Sequence, residues 1–164
     1  MIIGCDPGKK GAIAFITSKT GQLAGVFDMP TIEIKIGKTM RDRVSSHALV
    51  EFFNTKTKDQ VIEMVVVEKV GGMSGDGGSV AFTFGYGCGM LEGVIVGRGW
   101  PITLITPQAW KKAAGLQKDK SLARQRAMQL WPNKAHEFAR VMDDGRAEAA
   151  LIGWHYWNSI PRGL

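Results

Sequence analysis

The sequence predicts an α/β domain built on a mixed sheet, three antiparallel strands followed by parallel strands, flanked by helices. Two apolar runs, residues 1–5 and 11–16, are joined by only a few residues around Pro7 and Gly8, a link that permits nothing but an antiparallel turn. Two later apolar runs, 61–67 and 101–105, each follow a helical segment, as parallel crossovers require. The 61–67 run is apolar at nearly every position, the pattern of a strand buried on both faces.

Residues 23–27 supply the third strand after the turn Lys19-Thr20-Gly21-Gln22, and Pro30 ends the meander. Residues 31–43 are polar and basic without a clear period, which predicts a loop or a weak hairpin. Ser46 is placed to cap a helix through Leu49, Val50, Phe52 and Phe53. Glu68 closes the 61–67 strand. The glycine-rich stretch 71–78 predicts a mobile loop and lacks the GxGxxG spacing of a nucleotide cradle.

Ser79 opens a helix with glycines at 85, 89, 93 and 97. Glycines four apart share a face and let a sheet or a partner helix approach closely. Residues 101–105 form a strand, and Thr106-Pro107 then starts a helix with Thr as N-cap and Pro in the first position. Another helix opens at Lys120-Ser121 and stops before Pro132. The last runs from about Asp144 to Trp157, with Ala147, Leu151 and Trp154 on one face.

At 164 residues and 45% hydrophobic content, the chain is expected to form one domain over 1–164 with its own core. Cys5 and Cys88 make no disulfide framework, so a reducing, cytoplasmic setting is expected. No basic segment precedes an apolar one at the start, and no signal peptide is expected. The stretch 80–97 approaches the roughly 18–20 residues of a membrane span. Glu92 lies well inside it, a charge costly in lipid, and no membrane association is expected.

Charge is unevenly spread. From Arg98 to Arg126 seven basic residues stand against Asp119 alone, a local excess equal to the whole chain's net +6. A basic face on an otherwise balanced chain points to a polyanion such as nucleic acid. Carboxylates mark the other pole. Asp6 and Glu68 each end a strand too apolar to be exposed, and neighbouring strands would bring both within reach of shared cations. Mg²⁺ takes oxygen ligands, typically one or two carboxylates with substrate phosphate and water. Asp144 and Glu148, four apart, share a helix face. Asp143 points elsewhere and is expected to be a solvated helix-start residue, while Asp144 also suits an N-cap.

Cys5-Asp6-Pro7-Gly8, then Val67-Glu68, then Asp144-Gly145-Arg146-Ala147-Glu148-Ala149-Ala150-Leu151 resemble the acidic motifs of RuvC-type Holliday-junction resolvases, above all the short resolvase-like proteins of phages and prophages. The resemblance spans essentially the whole chain. It implies a ribonuclease H-like fold, a homodimer, and two Mg²⁺ ions per active site, with Mn²⁺ able to substitute. It also implies paired incisions across a four-way DNA junction. Carried over by position, Asp6 bridges both ions, Glu68 holds one, and Glu148 with Asp144 holds the other. Bacterial members of the family place the last two acids three apart. Here position 145 is Gly, so the choice between Asp143 and Asp144 stays open.

Two ions about 3.5–4 Å apart can activate water and stabilise a leaving oxygen without a protein nucleophile. His47, His136 and His155 then have no required role. Lys9 and Lys10 are placed to touch the scissile phosphate. Lys111, Lys112, Lys118, Lys120 and Arg124 would position the DNA backbone. Met73, at the centre of the glycine-rich loop, is placed to act at the branch point. An actin-like ATPase would need a second lobe, and no Walker spacing exists around Gly8-Lys9, so no nucleotide cofactor is expected. A flap or single-strand nuclease and a non-catalytic DNA-binding protein on the same fold remain the alternatives.

Overall fold

The computed structural model describes residues 1–71, 77–116 and 121–161. Its centre is β1 (Ile2–Asp6), which pairs antiparallel with β2 (Ala12–Ile16) and parallel with β6 (Met64–Glu68). β3 (Leu23–Asp28) and β7 (Ile102–Ile105) complete a five-stranded mixed sheet in the order β3-β2-β1-β6-β7. The three-strand meander with parallel additions is the architecture the sequence predicts.

The other strands differ from expectation. The 31–43 segment is a regular antiparallel hairpin, β4 (Thr31–Ile36) and β5 (Thr39–Val44), forming its own two-stranded sheet. Its turn has Gly37 at φ +62 in the first central position, as a type II′ hairpin requires. The alternation is confined to β4, with isoleucine at 32, 34 and 36; β5 is polar or charged at most positions and hides the period of the segment. The strand expected over 61–67 begins only at Met64. Val61 is exposed, and its carbonyl accepts a hydrogen bond from the amino terminus at 2.8 Å.

Strand alternation sorts the core into two layers. Ile2, Ala12, Ala14, Ile16 and Val66 face α5 (Asp144–Ser159), α4 (Ser121–Leu130) and α3 (Pro107–Ala113), with Trp110, Trp131 and Phe138 filling the space. Ile3, Cys5, Ile13, Phe15, Val65 and Val67 face α1 (Ser46–Lys56) and α2 (Gly78–Gly97), through Leu49, Phe53, Leu91 and Ile95. The N-cap of α1 is Ser45, one residue before the expected Ser46; its hydroxyl accepts from Ala48 N at 3.3 Å.

The α2 helix has the length and apolarity of a membrane span, yet Cys88, Leu91 and Ile95 are buried in the domain. Its glycine ridge does not pack on the sheet: a Cβ built at Gly85, Gly89, Gly93 or Gly97 meets no atom within 4 Å. Among the described residues the ridge has no packing partner within the chain.

Glycine matters most where α5 crosses β1. A Cβ at Gly4 would lie 2.2 Å from the Ala149 carbonyl oxygen and 2.5 Å from Gly153 N. A Cβ at Gly145 would lie 2.3 Å from the Lys10 carbonyl oxygen. The helix therefore touches backbone to backbone on β1 at Gly4 and on the β1–β2 turn at Gly145, which fixes the height and rotation of α5 over the end of β1.

Candidate metal and DNA site

Asp6 and Glu68 end neighbouring parallel strands. The paired register runs from Ile2↔Met64 to Cys5↔Val67, so the two acids follow one step beyond the last pair. Alternation puts Asp6 in line with Ile2 and Gly4, and Glu68 in line with Val66, so both face α5. On that helix Glu148 lies between the two close contacts at Gly145 and Ala149, on the side turned to the sheet.

The electrostatics agree with this placement. Burial first, then the charges of Glu148 and Glu68, push the Asp6 carboxyl up from 3.8 to about 7. The Gly8 N–H, 3.4 Å from Asp6 Oδ1, and the Lys111 ammonium oppose that rise without cancelling it. Three carboxylates crowd a partly desolvated strand end, and a cation is what would relieve them.

Helix α3 supplies two further groups. The buried Trp110 donates from Nε1 to Glu68 Oε1 at 2.9 Å. The Lys111 Nζ lies 3.9 Å from Glu148 Oε1. Lys111 was expected to position DNA backbone; here it sits at the carboxylate group itself. Trp110 was not anticipated. The only hint in the sequence is that a tryptophan in a short helix, once buried, needs an acceptor for its N–H. Phe84 of α2 was also missed: its ring edge comes within 3.8 Å of where a Cβ at Gly8 would sit, beside the turn that follows Asp6.

The remaining acids separate. The Asp144 side chain is 43% exposed and its Oδ1 accepts from Arg124 Nε at 2.7 Å. Asp144 is the first residue of α5, and Asp143 precedes it as N-cap without a side-chain capping bond. Asp143 is not solvated as expected but 1% exposed, accepting from Arg140 N at 2.8 Å and Arg140 Nη2 at 2.7 Å. Its acidity follows: burial alone would raise its pKa, but the Arg140 hydrogen bonds and charge hold it below the usual carboxylate range. Asp143 is thus a latch. The adjoining Arg146 ties α5 to the end of β3 through Asp28, at 2.6 and 3.0 Å, and to Glu137 at 3.1 Å.

Among the basic candidates, Lys9, Lys10 and Lys112 are exposed and Arg124 is engaged by Asp144. Met73, Lys118 and Lys120 lie outside the described residues. Arg98 belongs to another surface, donating to the Val50 carbonyl at 3.0 Å and lying 4.9 Å from the Trp100 ring centroid.

Asp6, Glu68 and Glu148 are all hard oxygen donors, the right chemistry for Mg²⁺ or Mn²⁺. Among the described residues, no three Asp, Glu, His or Cys side chains converge as a ready-made cage for one ion. Mg²⁺ needs no such cage, because it usually takes one or two carboxylates and completes its shell with substrate oxygens and water.

Comparison with solved structures gives the same fold. Thermus thermophilus RuvC in complex with a Holliday-junction substrate superposes with a TM-score of 0.61 at 14% identity, over 94% of this chain and 90% of that one. The yeast mitochondrial Holliday-junction resolvase Ydc2 gives 0.58 at 19% identity, over 96% and 78%. The Fowlpox virus resolvase, in complex with its Holliday-junction substrate, gives 0.55 at 16% identity, over 98% and 100%. No family model and no curated protein sequence matches. The chain has a ribonuclease H-like fold. Within that class, it is the fold of RuvC-type Holliday-junction resolvases.

Proposed function

We propose that this chain is a divalent-metal-dependent endonuclease that resolves four-way DNA junctions as a homodimer. The observation that carries the reading is the meeting of Asp6, Glu68 and Glu148 on one face of the sheet, at the strand ends of a resolvase fold. Asp6, Glu68 and Glu148 would hold Mg²⁺ or Mn²⁺, two ions per site, with Asp144 joining once Arg124 releases it. The ions supply an activated water and charge stabilisation at the leaving oxygen.

In-line hydrolysis adds a water oxygen to phosphorus and breaks one P–O ester bond, and the departing sugar oxygen takes a proton. The chain's own part is positioning. Trp110 holds Glu68 in one orientation, and the two glycine contacts set Glu148 opposite Asp6. Lys111, between Glu148 and the Trp110 ring, offers a cation to the charge that builds on the phosphoryl oxygens. Lys9 and Lys10, exposed in the turn after Asp6, hold the neighbouring phosphate.

A four-way junction needs two symmetric cuts, and one chain offers one carboxylate set. The free glycine ridge of α2 supports pairing of two copies across this helix. Phe82 and Tyr86 stack at 6.0 Å on the same face while 69% and 54% exposed, and Val96 is 61% exposed. An apolar, close-approach face of this kind on one helix suits a two-fold contact. The test is a synthetic four-way junction incubated with Mg²⁺. Paired cuts in strands of like polarity support the reading; equal cutting of flaps and single strands would replace it with a general branched-DNA nuclease.

A further inference from the structure

No strand residue of the hairpin β4–β5 is buried, and Val44, at its base, packs against the edge of the core. An isolated two-stranded ribbon is marginal in water, so its base must be held. Met29 N donates to the Gly11 carbonyl at 3.0 Å, Ser45 N donates to the Pro30 carbonyl, and Val44 lies against Gly87 of α2. That base sits at the carboxylate end of the sheet: Asp28, just before the hairpin, pairs with Ala12, which pairs with Asp6. The ribbon thus leaves the domain beside the candidate active site, and six residues per strand give it a reach of about 20 Å.

The register sorts its side chains. Directly opposed residues share a face, and Ile32↔Arg43, Ile34↔Arg41 and Ile36↔Thr39 make one face with two arginines and no acid. Both acids, Glu33 and Asp42, face each other on the opposite side, where Lys35 pairs with Met40. Arg41 and Arg43 are also the only arginines among the described residues with no side-chain hydrogen bond or ion pair. Arg98, Arg124, Arg126, Arg140 and Arg146 each have one. Two unpartnered guanidinium groups two residues apart on a protruding ribbon form a ready phosphate contact.

We propose that the hairpin is a second DNA-binding element. Its Ile32-Ile34-Ile36/Arg41-Arg43 face lies on the backbone of the duplex arm next to the cut strand, with the arginines on phosphates and the isoleucines against the sugars. This rests on the junction-nuclease reading and adds a contact outside the carboxylate site.

The test uses the full chain in an Asp6→Asn background, so that binding is measured without cutting. Four-way-junction affinity is followed over a salt series for Asp6→Asn alone, with Arg41→Gln/Arg43→Gln, and with Arg41→Lys/Arg43→Lys; circular dichroism checks that each folds. The glutamine pair should weaken binding about 10-fold or more and lower the slope of log affinity against log salt by about 2; the lysine pair should keep the slope. An unchanged slope in the glutamine variant, with Asp6→Asn binding the junction normally, overturns the hairpin's role and leaves the nuclease reading standing. Loss of the dimer with an unchanged slope also overturns it, assigning the hairpin to a second copy. Failure of Asp6→Asn itself to bind the junction overturns both.

Discussion

The indole Nε1 of Trp110 donates a 2.9 Å hydrogen bond to Glu68 Oε1, so a fully buried side chain on α3 sets the orientation of a carboxylate on β6. Groups that orient metal-binding carboxylates typically contribute 10–100-fold to affinity or activity. Trp110→Phe keeps most of the ring volume and removes only the donor. It should raise the Mn²⁺ concentration needed for half-maximal cleavage by about 10-fold or more, with junction binding unchanged. A metal titration of cleavage checks this; an unchanged titration would show that Glu68 is positioned without the indole.

Asp6 makes the metal-free protein pH-sensitive. Its folded pKa is raised from 3.8 to about 7, chiefly by burial and then by Glu148 and Glu68. A raised acid pKa contributes stability that is full below the unfolded value and is lost as pH climbs through the folded one. In EDTA, the wild-type chain should therefore lose stability relative to Asp6→Asn between about pH 4 and 7, with the gap levelling at roughly 2–4 kcal/mol above that. Added Mg²⁺ should stabilise the wild type at pH 8 and leave Asp6→Asn nearly unmoved. Urea unfolding at several pH values gives the comparison; identical pH profiles for the two proteins would contradict it.

Gly4→Ala should do damage out of proportion to one methyl group. The new Cβ would meet backbone atoms at 2.2 and 2.5 Å, and backbone cannot rotate away as a side chain can. Forcing α5 off β1 should cost about 1–3 kcal/mol or more and carry Glu148 away from Asp6. Thermal unfolding together with residual cleavage reads both effects. A variant with wild-type stability and rate would mean that α5 is not seated on Gly4.

Gly89→Leu separates folding from association. Among the described residues nothing lies within 4 Å of a Cβ at Gly89, so the monomer should fold with an unchanged or slightly higher melting temperature, leucine being the better helix former. Light scattering should show the wild type near twice 17.9 kDa and the variant near 17.9 kDa. A variant that stays dimeric would move the two-fold contact off this helix face.

Much of this was legible in the sequence because strands announce themselves by burial. The runs ending at Asp6 and Glu68 are apolar since both faces are covered, and the acids that end them stand out for that reason. The hairpin was harder to read, because only β4 alternates, with isoleucine at 32, 34 and 36, while β5 is polar or charged at most positions and the segment as a whole shows no shared period. The roles of Asp143 and Asp144 were not legible. Helix spacing places both at the start of α5, but what separates them is tertiary: Arg140 and Arg146 draw Asp143 inward, while Arg124 reaches Asp144 from another helix. Trp110 escaped notice because its partner, Glu68, is distant in sequence and adjacent only through the β6–β7 crossover.

The central question is whether these carboxylates cut DNA rather than merely bind it. The decisive measurement is a four-way junction offered to wild type, Asp6→Asn and Glu148→Gln, with binding followed by gel shift and cutting followed with Mg²⁺ or with EDTA. All three proteins should bind comparably, the wild type should make paired incisions with Mg²⁺, and neither variant should cut, nor any of the three in EDTA. Undiminished cutting in EDTA, or by Glu148→Gln, would contradict this.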